Sequence, residues 1–266
     1  MTEADWAERL FNKSVMKQRK FKEVIDFLGP TDQLNCLDIG GDNGIISYML
    51  RKKGGDWKSA DLDRSSVDSI QKLVHTEVYQ IDGNRTPFKE NEFDRVAIID
   101  FLEHIPNDDK FIAEMYRIMK PGGVLVVNVP NIKGGILRKL RMALGQTDEK
   151  HGHLRAGYTL TRVERLLGNK FTCIKSKTYS KFFSELIDII VVCFVTRVKQ
   201  GSNGHSKKGQ IVTQQDFQNS ASKFRLYSFV YPFIRFFSIL DSFLFFRSGY
   251  MLIVSARVVK VHEEGI

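Results

Sequence analysis

A glycine-rich turn with an acid in front of it is the strongest chemical signal in this chain. Residues 36–44 read Cys-Leu-Asp-Ile-Gly-Gly-Asp-Asn-Gly, between a short apolar run (34–39) and a helical pattern that begins at Ile45. Such a corner binds nucleotides, because glycines let the backbone approach a ligand and free helix N–H groups face it. The spacing differs from the P-loop and from the dinucleotide fingerprint G-x-G-x-x-G. An acid at Asp38 suits a ligand that carries an amine.

Three further acids stand at the ends of predicted strands. Asp61 ends the second apolar run, where an acid can accept hydrogen bonds from both hydroxyls of a ribose. Asp82, followed by Gly83, ends the third run and is placed for the exocyclic amine of an adenine, and Asp100 ends the fourth. The carboxyl ends of parallel strands meet along one edge of a sheet, where open α/β sheets bind ligands. These acids are therefore predicted to share one site with the glycine turn.

Three histidines are the candidate catalytic bases. His104 follows the fourth strand, and His151 and His153 lie in a polar segment after the fifth, together with Arg155 and Tyr158. Histidine is the natural base for a hydroxyl substrate, because its ordinary pKa lies near neutral pH. His151 or His153 is predicted to act as the base or to bind the second substrate. His104 fits a catalytic role and a packing role in the turn, and the sequence leaves both open.

Five motifs in fixed order carry a family resemblance. They are the glycine turn, the acids after strands two and three, a Leu-Glu-His step (102–104) and a Lys-Pro-Gly-Gly turn (120–123). Over residues 34–168 the chain resembles the class I S-adenosylmethionine-dependent methyltransferases, in particular the methyltransferase type 11 branch with its quinone-biosynthesis members. The loop 150–158 also resembles methyltransferases of bacterial surface-glycan and lipid-linked sugar pathways.

The resemblance implies a binding site for S-adenosylmethionine. The glycine turn and the acid before it would hold the methionine part of the cofactor. The acid after strand two would bind the ribose, the acid and glycine after strand three the adenine, and the acid after strand four would line the methyl-transfer site. The implied cofactor-binding residues are Asp38, Gly40, Gly41, Gly44, Asp61, Leu62, Asp82, Gly83 and Asp100.

One position departs from the family pattern. Asp42 stands where members usually have glycine, and Gly41 occupies the usual non-glycine position. Aspartate tolerates left-handed backbone better than most residues, so the turn can still form. Its carboxylate is unfavourable near the carboxylate of the cofactor unless it points outward. The departure keeps open a non-catalytic binding module on the same fold.

Hydrophobic periodicity predicts the fold class. Strand runs alternate with helical patterns through two thirds of the chain, which indicates an α/β protein with a mostly parallel sheet covered by helices on both faces. The resemblance implies a Rossmann-like sheet of seven strands, the last two (171–176 and 250–261) forming an antiparallel edge hairpin. Helices are predicted over 4–28, 45–53, 64–74 and 107–120, after Gly135, and from Thr159 or Thr161 to Leu167.

About 70 residues separate the last two predicted strands, far more than a hairpin loop requires. We therefore divide the chain into a cofactor-binding core with an N-terminal helix (1–180), a helical insertion (181–248) and a last strand with a tail (249–266). The insertion contains an apolar run (181–195), a linker (200–210) and an aromatic-rich segment (224–247). Neither apolar stretch reaches the roughly 20 uncharged residues of a membrane-spanning helix.

The aromatic-rich segment 224–247 is predicted to be an amphipathic helix flanked by arginines. Such a helix suits peripheral contact with a membrane or a tunnel for an apolar substrate. The same pattern fits a buried cap or a homodimer interface, and the sequence does not decide between them. At helical spacing its apolar side carries Leu226, Phe229, Phe233, Phe237, Leu240 and Leu244, and its polar side Ser228, Arg235, Ser238 and Ser242.

Composition limits the partners and the compartment. The 266 residues are 42% hydrophobic, enough for a full core, and carry a formal net charge of +9 from 40 Lys and Arg against 31 Asp and Glu. This charge favours an anionic membrane, a phosphorylated substrate or nucleic acid, and the lack of a nucleic-acid-binding motif makes the last the weakest option. Three cysteines without Cys-x-x-Cys spacing and no apolar signal segment predict a cytoplasmic protein, peripheral at the inner face of the membrane.

The predicted function is S-adenosylmethionine-dependent O-methylation of a small-molecule, glycan, lipid-linked or quinone-like acceptor near a membrane. A sulfonium methyl group is already activated, so the protein mainly aligns a nucleophile and excludes water. Methylation of a soluble metabolite, with the insertion as a lid or dimer contact, stays open as an alternative.

Asp100, Glu103 and His104 also match an acid-x-x-Glu-His spacing that binds a divalent ion in some quinone-biosynthesis O-methyltransferases. Many relatives carry this spacing without metal, so no metal ligand is predicted.

Overall fold

The strands form a single mixed sheet in the part of the chain that the computed structural model describes, residues 2–41, 43–132, 135–146, 152–190, 221–244 and 246–260. Their order is β3-β2-β1-β4-β5-β7-β6. Strands β1 to β5 pair in parallel, and β7 runs antiparallel to both β5 and β6. The strands are β1 (Asn35–Ile39), β2 (Asp56–Asp61), β3 (Val78–Gln80), β4 (Phe93–Ile99), β5 (Met119–Pro130), β6 (Phe171–Tyr179) and β7 (Met251–Val258).

Helices precede β1 and separate most of the following strands, except that β3 leads to β4 without one, and two described helices of the insertion lie between β6 and β7. Two short 3-10 turns, Leu102–His104 and Asp241–Phe243, follow β4 and the last helix. The described helices are α1 (Glu3–Phe11), α2 (Val15–Leu28), α3 (Ile45–Arg51), α4 (Arg64–Val74), α5 (Asp108–Ile118), α6 (Ile136–Ala143), α7 (Leu160–Leu167), α8 (182–190) and α9 (Ala221–Leu240).

The predicted fold class is confirmed: a Rossmann-like, mostly parallel seven-stranded sheet with a helical insertion before its last strand. Buried side chains form two clusters, one on each face of the sheet. Helices α2, α3 and α4 pack on one face, around Val24, Leu50 and Ile70. Helices α5 and α7 pack on the other, around Phe111 and Val163.

The helix ends follow local capping chemistry. The N-terminal helical region predicted over 4–28 is two helices, because Ser14 starts a new one by accepting a hydrogen bond from the Lys17 amide. Gly29 ends α2 with a positive φ of 74°, as predicted. Thr159, one of two predicted caps, starts α7 by accepting from the Arg162 amide.

The aromatic-rich helix of the insertion, predicted over 224–247, has different bounds in the structure. Helix α9 ends at Leu240 rather than near residue 247, and a 3-10 turn follows it. None of the described helices combines the length and the hydropathy needed to cross a membrane. The division into three parts at residues 180 and 248 stays a prediction. Asp42, His151 and the linker 200–210 lie outside the described residues.

Candidate functional site

The turn between β1 and α3 needs glycine at two positions. Gly40 has φ +86°, and a Cβ there would lie 2.1 Å from the Ile99 carbonyl oxygen. Gly44 has φ +82°, and its Cβ would lie 2.8 Å from the Ile70 Cα. A side chain at either position would collide with backbone atoms, so the turn lies flat against β4 and α4. This leaves a backbone surface open for a ligand at the carboxyl edge of the sheet.

Asp38 supports this turn from below rather than lining the cavity. Its fully buried carboxylate accepts hydrogen bonds from the Ser47 hydroxyl, from the Ser59 hydroxyl at 2.7 Å and from Arg51 at 3.4 Å. Burial raises the pKa of Asp38, while Arg51 and the two serines act in the opposite direction. Asp38 is thus fully buried and is not among the residues of the cavity wall, and its predicted part in holding the methionine part of the cofactor stays a prediction.

A cavity of about 910 Å³ opens at the carboxyl ends of the strands. The two glycines after β1 and the acid that ends β2 lie on its wall, as the sequence predicts for an adenosine-type ligand. Helix α2 and the insertion close the opposite side. The predicted cofactor residues on the wall are Gly40, Gly41, Asp61, Leu62 and Asp100.

Besides Asp38, three predicted cofactor residues are not among the described residues of the wall: Gly44, Asp82 and Gly83. Asp82 is exposed, and its carboxylate accepts from the amides of Asn84 at 2.8 Å and Arg85 at 3.1 Å. These backbone hydrogen bonds lower its pKa. At Gly83, a Cβ would lie 2.5 Å from the Ile105 Cγ2. The turn after β3 is thus built for close packing, and its part in binding stays a prediction.

Asp100 stands at the mouth of β4 in a fixed orientation. Its backbone has φ +48°, and its carboxylate pairs with Lys20 of α2 and accepts from the Asn128 side-chain amide at 2.9 Å. The buried Tyr179 hydroxyl donates to Asn128 at 2.6 Å, and burial raises the pKa of this tyrosine. The chain of contacts joins α2, β4, β5 and β6 at one wall of the cavity.

The lysines of α2 are site residues that the sequence analysis missed. Lys17 donates to the Asn43 side chain in the glycine turn at 3.0 Å, and Lys20 pairs with Asp100. Two lysines three positions apart on a predicted helix share one face, which is the signal that was available. Helix α2 therefore spans the cavity from the cofactor turn to the end of β4.

The histidine cluster lies at the same cavity. Glu103, His104 and His153 bring ligand-type atoms to within 4.8 Å of one another, and the two imidazole rings meet edge to face at 4.8 Å between centroids. His104 Nδ1 lies 2.9 Å from the Gly152 carbonyl oxygen. A carbonyl only accepts, so Nδ1 donates in this contact, and in the neutral imidazole Nε2 is then the nitrogen without a proton. Asp100, whose spacing matched a metal motif, is not part of this cluster.

A buried network holds the histidine loop in place. The Leu154 amide donates to the Glu103 carbonyl oxygen at 2.8 Å, and Arg155 donates to Asp108 at 2.8 Å. The Tyr158 hydroxyl, fully buried, donates to Asp108 at 2.9 Å, and burial raises its pKa. Arg155 and Tyr158, which the sequence placed beside the second substrate, therefore position the loop that carries His153.

The insertion lines the cavity with charged side chains. Asp188 of α8 pairs with Arg141 of α6 at 2.8 Å, and both lie on the wall together with Ile234 of α9. The Arg141 guanidinium stacks on the Tyr250 ring at 5.7 Å. The sheet edge with the predicted cofactor-binding residues, the histidine cluster and the insertion thus line the same cavity.

Comparison with known proteins finds similar sequences among methyltransferases. A family model described as a methyltransferase domain matches residues 37–127. The ubiquinone/menaquinone biosynthesis C-methyltransferase UbiE of Ruegeria sp. is 29% identical over 113 residues, covering 39% of this chain and 45% of that protein. The chloroplastic tocopherol O-methyltransferase of Arabidopsis thaliana is 28% identical over 123 residues, 41% of this chain and 35% of that protein. The chain spans less than half the length of these relatives.

Solved structures share the fold at low sequence identity. A protein from Bacillus halodurans aligns over 91% of this chain and 100% of its own, with a TM-score of 0.58 and 15% identity. The phosphoethanolamine N-methyltransferase 2 of Haemonchus contortus, solved with S-adenosyl-L-methionine, aligns over 97% of this chain and 56% of its own, with a TM-score of 0.58 and 16% identity. Residues 37–127 thus match the methyltransferase-domain family, and the described chain has the fold of the class I methyltransferases, which use S-adenosylmethionine as cofactor.

Proposed function

We propose that the protein is an S-adenosylmethionine-dependent methyltransferase that methylates a hydroxyl oxygen of a small-molecule, glycan, lipid-linked or quinone-like acceptor near a membrane. The observation that carries the proposal is the single cavity shared by Gly40, Gly41 and Asp61 at one end and by His104 and His153 at the other. A cofactor and an acceptor can meet there, away from bulk water. The glycine backbone, where a Cβ would collide, fits the close approach that the cofactor needs.

The residues divide the chemistry in a simple way. When bound, S-adenosylmethionine supplies an activated methyl group, and the chain has to align the acceptor oxygen and remove its proton. His104 Nε2 or His153 takes that proton as the oxygen–methyl bond forms and the methyl–sulfur bond breaks. The buried network of Tyr158 and Asp108 keeps the histidine loop in position during this step.

Oxygen as the acceptor atom is supported by the base at the site. The names of the relatives cover C-, O- and N-methyltransferases, including the norajmaline N-methyltransferase of Rauvolfia serpentina, so the family alone leaves the atom open. A hydroxyl acceptor needs a base, and two imidazoles line the cavity.

Calorimetric titration with S-adenosylmethionine and S-adenosylhomocysteine tests the cofactor site. The wild-type protein is expected to bind both, and Asp61→Ala to bind at least about tenfold more weakly, because hydrogen bonds to the ribose are lost. A folded wild-type protein that binds neither ligand would disprove the proposal and favour a non-catalytic binding module.

Transfer of a labelled methyl group tests the base. His153→Ala or His104→Ala should lower the transfer rate by about 10²–10⁴-fold without changing cofactor affinity. His75→Ala is the matched control, because His75 ends α4 and does not line the cavity. Full activity in both His104 and His153 variants would contradict the assignment, and transfer to soluble acceptors alone would favour the soluble-metabolite alternative.

A further inference from the structure

In the part of α9 whose side chains the structure describes, residues 231–240, three phenylalanines lie on the outside. Phe233, Phe236 and Phe237 are 58%, 59% and 45% exposed, whereas Ser238 and Asp241 are buried at 7% and 1%. An ordinary surface helix of a water-soluble protein has the opposite arrangement, with its apolar stripe toward the core. In residues 231–240 the phenylalanines therefore face water, while Ser238 faces the protein.

Helix α6 buries Leu137 but also exposes several apolar side chains. Arg138 and Arg141 line the cavity, while Ile136 and Leu140 are 75% and 39% exposed. The two helices are joined through α8, because Arg141 pairs with Asp188 at 2.8 Å. We call the exposed apolar side chains of this helical cap the outer face: Ile136, Leu140, Met142, Leu144, Phe233, Phe236, Phe237, Ile239, Phe243 and Phe246.

Among the described residues of α6, α9 and the turn that follows α9, the exposed charged side chains are all cations. Lys139, Arg235 and Arg247 are exposed beside the outer face. Residues 135–146 and 221–247 contain one acid, Asp241, and its buried carboxylate is occupied by backbone amides at the start of α8. An apolar surface with cations and no exposed acid complements an anionic lipid surface, where aromatic side chains enter the interface and arginines reach the head groups.

We infer that the protein binds peripherally to an anionic lipid bilayer through the outer face. A second copy of the chain fits less well, because a symmetric interface would bring this acid-free face against itself and place cations against cations. The inference extends the proposed function and rests on it for one point, the acceptor. The head group of a membrane amphiphile enters the cavity between α6, α8 and α9 while its apolar part stays in the bilayer.

Co-sedimentation of the full chain with lipid vesicles tests whether the outer face binds a bilayer. The probes are vesicles of phosphatidylcholine, alone and with about a third of the anionic lipid phosphatidylglycerol. The wild-type protein is expected to sediment with the anionic vesicles. The variant with Phe233→Ser, Phe236→Ser and Phe237→Ser should bind about tenfold or more weakly, because it loses the inserted aromatic rings.

Two further variants separate charge from packing. Lys139→Gln with Arg235→Gln should weaken binding to anionic vesicles about 25-fold, roughly fivefold for each cation. Ile174→Ser is the matched control, since Ile174 is 47% exposed on β6, outside the cap, and its variant should bind as the wild type does. The altered side chains are exposed, so folding and the cofactor titration should not change.

The outcomes are distinct from those of the proposed function. Absence of vesicle binding by the wild type overturns the inference. A stable wild-type dimer that becomes a monomer in the triple phenylalanine variant would also overturn the inference, because the outer face would then be a dimer interface. Vesicle binding without cofactor binding would support the lipid-binding outer face and contradict the proposed methyltransferase activity. Cofactor binding without vesicle binding would support the methyltransferase and contradict the lipid-binding face.

Discussion

At the scale of single residues, burial decides which polar groups keep their ordinary chemistry. Asp38 is the first acid of the site in sequence, yet its carboxylate is enclosed by Ser47, Ser59 and Arg51. Cys36, two positions earlier, is a fully buried free thiol on β1, and burial raises its pKa to about 12. Such shifts make the stability of the fold depend on pH.

Cys36 should make the protein less stable above pH 9. The unfolded chain loses the thiol proton near the ordinary pKa of 9.0, while the folded chain keeps it until about 12. Rising pH therefore favours the unfolded state, by about 1 kcal/mol between pH 9 and pH 10. Urea unfolding at both pH values measures this, and Cys36→Ala should remove that part of the slope. Other titrating groups are common to both proteins, so equal slopes would contradict the prediction.

Tyr158→Phe should cost about 1–2 kcal/mol of unfolding free energy, because it removes a donor to the buried Asp108 carboxylate and the Leu102 carbonyl. Tyr79→Phe is the control, since the Tyr79 hydroxyl donates to the exposed Glu77 and its loss should cost less than about 0.5 kcal/mol. Urea unfolding compares the two variants. Equal costs would mean that Tyr158 does not hold the histidine loop.

At the scale of elements, the start of one insertion helix depends on the end of the other. The Asp241 carboxylate, just after α9, accepts from the amides of Lys181 at 2.8 Å, Phe183 at 2.9 Å and Ser184 at 3.2 Å. These amides at the start of α8 have no carbonyl partner within the helix. A side chain distant in sequence thus supplies the cap that a local serine or aspartate usually provides.

Asp241→Ala should therefore loosen the helical cap without unfolding the sheet. Loss of an N-cap acceptor costs about 1–2 kcal/mol, and here the cost falls on the start of α8. Hydrogen exchange should show lower amide protection over 183–190 and unchanged protection in β1 and β4. Asp26→Ala, which breaks only an exposed pair with Lys22, is the control and should leave both regions unchanged. Unchanged protection in α8 would refute the capping role.

At the scale of the whole molecule, β7 ties the sheet together from the end of the chain. It lies between β5 and β6, so the insertion has to return the chain to the middle of that side of the sheet. Its side chains alternate between the two clusters: Val254 belongs to one and Ile253 to the other. The residues that pair here are far apart in the sequence. Bringing them together costs chain entropy and slows the folding of the sheet.

Val254→Ala should destabilise the protein by about 2 kcal/mol, because it opens a cavity beneath β5 where Val254 is fully buried and faces Val127. Val259→Ala, one residue after the strand and at a side chain 44% exposed, should change stability by less than about 0.5 kcal/mol. Denaturant unfolding of both variants provides the comparison. A similar cost at the two positions would show that β7 is not part of the shared core.

Local patterns in the sequence predicted most of the fold and part of the site. The order of strands and helices, the cap at Thr159 and the glycine turn follow from periodicity and turn chemistry, which act over a few residues. The meeting of Asp61, Asp100 and the histidines at one cavity follows from the rule that parallel strands end at one edge.

The tertiary structure decided what those patterns could not. Only folding shows that Asp38 is enclosed, that Tyr158 and Asp108 hold the loop of His153, and that three phenylalanines of α9 face outward. Each of these depends on contacts between segments dozens of residues apart. A short stretch of sequence shows which side chains are polar. Their burial and their hydrogen-bonding partners, which set their pKa and reactivity, are decided only when the whole chain packs.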